Sequence, residues 1–260
     1  MRSALCKGWI RLRSMSTLRH GLPTGFNSAW ARRSVSAPIG FTRAAQWVWK
    51  SSRHTNTSSL AADKFASDEA TVMIRLGIFG GTFNPIHVGH LLVAETARET
   101  LQLDRVVFIP TGQPPHKKIT GLLPGPVRLE LVQLAIRDQP AFVASDIELQ
   151  RDGPSYSIET VRILKKQLPE AKLFLLIGED MLSVRWLAWD ALKQLCTIVV
   201  AHRHGATPTR RERHIKWLPM SQLEIASSEI RARLKAGRSI RYLVPTAVAR
   251  YIKQHQLYGA

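Results

Sequence analysis

Two cysteines in 260 residues, Cys6 and Cys196, are too few for a disulfide framework or a cysteine-based metal cluster. A reducing compartment is the simplest setting. No stretch approaches the roughly 18 uninterrupted apolar residues that a spanning helix needs, which leaves a membrane role without support and predicts a cytoplasmic protein. Acid is missing from the front: residues 1–62 hold ten Arg or Lys and no Asp or Glu. Residues 1–72 also lack the period-2 or period-3.6 patterning of a strand or helix, so they are set apart from the fold as a leader. Their Arg- and Ser-rich composition suits an organelle transit peptide, with import in place of a cytoplasmic location, or sequence upstream of a later start at Met73. Four of the seven tryptophans, Trp9, Trp30, Trp47 and Trp49, fall in this leader, although disordered segments are poor in aromatics.

The remainder is balanced. Residues 63–260 carry 27 basic and 19 acidic side chains, a surplus of eight out of the chain's +18. That surplus suits anionic small molecules drawn to a cleft and requires no nucleic acid. With 45% hydrophobic residues the chain can supply a core for one domain over residues 73–260. Apolar runs predict strands at 74–79, 105–110, 142–145, 146–149, 173–178 and 197–202. Helical spacing predicts helices at 90–101, 127–137, 157–168, 189–195, 228–236 and 245–255, the last with Pro245 in its first turn. Alternating buried strands and helices imply an α/β fold, a doubly wound parallel sheet with a small C-terminal helical portion. Ligands of such a sheet bind beyond the carboxyl ends of the strands, at the switch point.

Chemistry-bearing residues fall at those ends. Gly80 and Gly81 follow the first strand and let backbone N–H groups approach a phosphate, with Thr82 and Phe83 continuing the turn. His87 and His90, three apart across Gly89, lie on one face as the next helix begins and can address one phosphate. A helix cap plus a packing residue gives the same pattern, and metal ligation lacks an acidic or Cys partner nearby. Further along stand Pro110-Thr-Gly-Gln-Pro-Pro-His-Lys117, Gly153-Pro-Ser-Tyr-Ser-Ile-Glu-Thr160, Ile177-Gly-Glu-Asp180 with Trp186 and Trp189, Arg203, and Ile225-Ala-Ser-Ser-Glu-Ile-Arg231.

Read together, these segments resemble the nucleotidylyltransferase superfamily, whose signature is GxFNPxHxGH, and within it the bacterial nicotinate-nucleotide adenylyltransferases. The resemblance covers residues 74–260. It implies a Rossmann-like fold and transfer of the adenylyl group of ATP to nicotinate mononucleotide, with pyrophosphate released. It implies ATP binding by Gly80, Gly81, Thr82, Phe83, His87, His90, Gly178, Asp180, Arg203, Ser228 and Arg231. Nicotinate mononucleotide is implied at Lys117, Tyr156, Ser157, Thr160 and Trp186, the Trp stacking on the pyridine ring. Catalysis then falls to His87, His90, Lys117 and Arg231 acting electrostatically, with Mg²⁺ carried on ATP rather than in a protein cage. Two departures stand out: Ala226 occupies the place of a usual Ser, and the Asp180-to-Trp186 loop is about two residues short of what the resemblance leads one to expect.

Other nucleotidylyltransferases, acting on nicotinamide mononucleotide or pantetheine phosphate, share the first motif and the Arg231 helix. A non-catalytic nucleotide-binding regulator is a reading from a different class, against which the intact His87, His90, Lys117 and Arg231 count. Neither oligomeric state nor any membrane or nucleic-acid partner is written in these motifs.

Overall fold

A computed structural model describes residues 73–115, 120–203, 215–220 and 223–259. Six parallel strands run in the spatial order β3-β2-β1-β4-β5-β6. They are β1 (Arg75–Gly81), β2 (Arg105–Pro110), β3 (Phe142–Ala144), β4 (Lys172–Gly178), β5 (Thr197–Arg203) and β6 (Ile215–Met220). The helices are α1 (Val88–Thr100), α2 (Gly125–Ile136), α3 (Ser157–Gln167), α4 (Trp189–Leu195), α5 (Ser227–Lys235) and α6 (Thr246–Gln254). The order reverses between β1 and β4, so the switch point of the doubly wound sheet lies beside Gly80 and Gly178.

Both sheet faces are covered, which is why the strands read as unbroken apolar runs rather than alternating ones. In β4, Leu173, Leu175 and Ile177 point into one core with Ile158 and Val161 of α3. Phe174 and Leu176 point into the other, with Ala94 of α1 and Leu131 of α2. Gly77 of β1 is required by packing, since a Cβ there would meet Leu103 Cδ1 at 2.9 Å.

Three expectations change. Residues 146–149 are not a strand: the Leu149 and Gln150 N–H groups both donate to the Asp146 carbonyl, closing a turn. Pro245 stands just before α6 as its N-cap, where its fixed φ serves equally well. Strand β6 was not anticipated; Ile215 and Trp217 pack into one core and Leu218 and Met220 into the other, so its burial does not follow a simple in-out alternation. The leader and Met73's role as a start concern residues outside those described, apart from Met73 itself, which is exposed.

Candidate functional site

The glycines of the first motif are explained by the side chains folded over them. A Cβ on Gly89 would lie 3.0 Å from His87 Nδ1, and one on Gly81 would lie 3.0 Å from the Phe83 ring. Gly80 differs: although it belongs to a central strand it is exposed, and a Cβ there meets nothing within 4 Å. It forms open floor at the switch point. Phe83 holds a positive φ of 48°, a costly choice for a bulky residue. Its ring is fixed edge-on to Phe79 and to His90, at 5.8 and 5.1 Å between centroids.

The two histidines act as one unit. His87 is the N-cap of α1 and His90 its third residue; their rings stack at 3.7 Å. His90 Nδ1 accepts the His87 main-chain N–H at 3.2 Å, which places the imidazole proton on Nε2 as a free donor. Burial brings His87 down to about 4. Burial and then the neighbouring His87 hold His90 well below the ordinary histidine range. Without an anion the pair is therefore neutral at pH 7, two donors rather than two cations.

Positive charge comes from elsewhere. Arg231 of α5 donates to the Asn84 carbonyl at 2.8 Å, and Ser227 of the same helix donates to the Pro85 carbonyl at 2.9 Å. The clamp helix and the first motif are thus one assembly despite lying some 140 positions apart in the chain. Ser228 is exposed in the first turn of α5. Ala226, the N-cap, offers no side-chain cap. Arg128 of α2 is 1% exposed and donates to the Leu123 and Thr82 carbonyls. It lies three and four positions before Leu131 and Val132, within the buried stripe of its helix; a charge in that phase was the signal available in the sequence.

An open cleft of about 280 Å³ adjoins this assembly, lined by Gly89, Gly178, Glu179, Asp180, His202 and Leu223 among others. The carboxyl ends of β4 and β5 open into it. Asp180, exposed in a 3-10 turn over Glu179–Ser183, lies across Gly178, where a Cβ would meet Asp180 Oδ1 at 2.5 Å. Arg203 ends β5; its side chain, like all of Lys117, lies outside the described residues. Among the described residues no group of three or more His, Cys, Asp or Glu is placed to hold a metal.

A second assembly gathers the other candidates. Ser155 Oγ accepts the Gly112 and Gln113 N–H groups, so it ties the loop after β2 to the start of α3 instead of capping that helix. Tyr156 is the N-cap of α3 and Ser157 its first residue, both half-buried. Thr160 is 2% exposed and donates to Glu148 Oε1 at 2.8 Å while accepting from Arg151. Its hydroxyl is committed inside the protein. Glu148 is buried; burial pushes its carboxyl up, opposed by Thr160 and Arg151. Neither Glu148 nor Arg151 was singled out from the sequence, for their ELQR context lies in the turn that was read as a strand. Trp186 is half-buried, donates from Nε1 to the Met181 carbonyl at 2.8 Å and tilts against Trp189 at 5.4 Å. Tyr156, Trp186 and Trp189 all pack against the same core.

Comparison with known proteins returns one family model, cytidylyltransferase-like, over residues 78–233. A Citrifermentans bemidjiense protein named "probable nicotinate-nucleotide adenylyltransferase" is 43% identical over 212 residues, covering 71% of this chain and 98% of its own. One of the same name from Shouchella clausii is 44% identical over 189 residues, with 72% and 98% covered. In fold, the chain is similar to Plasmodium falciparum nicotinic acid mononucleotide adenylyltransferase complexed with NaAD, with a TM-score of 0.60 at 16% identity over 72% of this chain and 98% of that one.

Proposed function

Because the chain belongs to the nicotinate-nucleotide adenylyltransferase family of cytidylyltransferase-like proteins, we propose that it transfers the adenylyl group of ATP to nicotinate mononucleotide. The products are nicotinate adenine dinucleotide and pyrophosphate. The observation that supports this reading is that Arg231 is tied to the first motif at the Asn84 carbonyl, while Gly89 of the same motif and the Gly178–Asp180 turn line one cleft at the switch point. Similarity to a structure complexed with NaAD supports a dinucleotide product.

The chemistry needs no nucleophile from the protein. An oxygen of the mononucleotide phosphate attacks the α-phosphorus of ATP; the new P–O bond forms as the α–β bridging bond breaks, and the electron pair leaves with pyrophosphate. Alignment and charge stabilisation carry such a reaction. In this reading the triphosphate lies over Gly80, Gly81, Thr82 and Phe83, where Gly80 leaves room. His90 Nε2–H and His87 donate to the phosphate oxygens as neutral imidazoles, which a preceding desolvation has made strong hydrogen-bond partners rather than fixed charges. Arg231 supplies permanent charge, with Ser228 at the N-terminus of α5. Lys117 adds a second cation. ATP enters as its Mg²⁺ complex, the ion keeping phosphate oxygens and waters as ligands. The nucleoside occupies the cleft by Gly178, Asp180 and the end of β5 at Arg203.

The mononucleotide binds at the other assembly. Tyr156, Ser157 and Trp186 form its wall, the indole facing the pyridine ring, and Thr160, bonded to Glu148, ties the helix that begins at Ser157 to the turn before it. The test is direct. The full chain is incubated with ATP, Mg²⁺ and either nicotinate or nicotinamide mononucleotide, and pyrophosphate and dinucleotide are measured. Turnover with the nicotinate form is expected. Activity with neither substrate overturns the reading, and equal activity with both removes the preference for the acid.

A further inference from the structure

Asn84 of the first motif is 2% exposed and its side chain is fully engaged. Nδ2 donates to the Gly121 carbonyl at 3.0 Å, and Oδ1 accepts both the Leu123 N–H at 3.2 Å and the Tyr258 hydroxyl at 2.8 Å. Its main-chain carbonyl accepts Arg231. One residue thus meets the loop before α2, the clamp helix and the end of the chain. Tyr258 reaches it from a left-handed backbone position, φ 60°, and is half-buried against the same core as α1 and α5. Burial pushes the Tyr258 phenol up, and the nearby Arg231 and Arg128 guanidiniums oppose that rise without cancelling it.

Resting on the adenylyl-transfer reading, we propose that Tyr258 is a positioning residue for ATP: its hydroxyl fixes Asn84, and Asn84 fixes the guanidinium of Arg231 for the triphosphate. Removing the hydroxyl leaves the ring and its packing in place. It removes one of the three side-chain bonds to Asn84, leaving those to Gly121 and Leu123, and so loosens the residue whose main-chain carbonyl anchors Arg231. The Arg231 arm of these contacts does not reach Tyr156 or Trp186, so the larger effect falls on ATP.

The test is Tyr258→Phe in the full chain, with steady-state kinetics varied in each substrate. One neutral hydrogen bond corresponds to about three- to tenfold in an equilibrium. We expect kcat/KM for ATP to fall by about that factor while KM for nicotinate mononucleotide stays within twofold. A purely structural loss lowers the amount of active enzyme and leaves both KM values alone. A double-mutant cycle with Arg231→Lys supplies the second readout. If Tyr258 acts through Arg231, the double variant loses less in kcat/KM for ATP than the product of the two single losses. An unchanged ATP dependence in Tyr258→Phe, an equal shift in both KM values, or multiplicative losses in the cycle overturns the proposal. Failure of the parent chain to form dinucleotide at all would instead strike the proposed function and leave this contact untouched.

Discussion

The assembly around the first motif, which the proposed function makes the phosphate half, and the assembly around Tyr156, which it makes the pyridine half, are held together by opposite means. Around the first motif, Arg128 and Arg231 donate to main-chain carbonyls of Thr82, Asn84 and Leu123, and among the described residues none of these bonds goes to a carboxylate. Around Tyr156 the organiser is itself a carboxylate, Glu148, satisfied by Thr160 and paired with Arg151 at 3.9 Å. A guanidinium on a carbonyl keeps most of its charge available, so the first half is set to receive an anion. The second half has neutralised its charges internally and presents aromatic surface, which suits an uncharged ring face. Two halves made this way should respond differently to substitution and to pH.

The largest contrast is expected at His90. His90→Ala removes the Nε2–H donor and the acceptor for the His87 N–H, with a loss of roughly 10²- to 10³-fold in kcat and a fold intact by circular dichroism. Near-normal turnover in that variant would falsify the assignment of the pair to phosphate. In the pyridine half the matching insult is steric. A Cβ on Gly112 would lie 2.5 Å from the Glu148 carbonyl oxygen and 3.0 Å from Ser155 Oγ, and a main-chain oxygen has little freedom to yield. Gly112→Ala is expected to cost about 3 kcal/mol, toward the upper end for overpacking. The KM for nicotinate mononucleotide should rise about tenfold with that for ATP nearly unchanged. A rise shared by both substrates would erase the division between the two assemblies.

Titration separates the halves by sign. His87 is held at about 4 when folded, against 6.5 as its ordinary value. Its contribution to stability is fully present above pH 6.5 and is lost as pH falls toward 4, because the unfolded chain binds the proton first. Between pH 7 and pH 5 this amounts to roughly 2 kcal/mol, and buried His90 acts in the same direction. Glu148 is raised in the folded chain, so its contribution is present below 4.5 and fades as pH rises through the raised value. Urea midpoints at the two pH values should therefore show acid destabilisation that His87→Gln reduces and Glu148→Gln enlarges. The same change in both variants would mean that other groups dominate.

How far each half could be read in the sequence follows from how it is built. The glycines at 81 and 89 sit within two residues of the rings that fold over them, so the spacing alone carries the geometry, and the apolar strands carry the two-faced sheet. The supports are different. Arg128, Tyr258 and Glu148 act through contacts whose partners lie 46, 174 and 12 positions away, and no local pattern marks such a pairing. Arg128 alone left a trace, as a charge inside an apolar stripe. Strand β6 escaped because it is short, stands at the edge of the sheet and feeds residues into both cores, so no simple alternation marks it. Thr160 shows the limit from the other side: its motif position was legible, but its burial against Glu148 depends on a turn read as extended.

The smallest effect concerns Ala226, where the phosphate half departs from the pattern it otherwise keeps. Ala226 is the N-cap of α5 with extended φ and ψ of −121° and 142°, the backbone a capping Ser adopts, yet it has no oxygen for the free N–H groups of the first turn. Ala226→Ser should supply that acceptor without rearrangement, since residue 226 is exposed and has room. A gain of about 1 kcal/mol is expected, read as a rise in Tm of roughly 2–4 °C. If those N–H groups also serve the triphosphate, hydroxyl and phosphate compete for them, so the gain should shrink when ATP is saturating. A gain that is the same with and without ATP would place the first turn of α5 outside the anion site and leave Arg231 as the helix's only contribution to it.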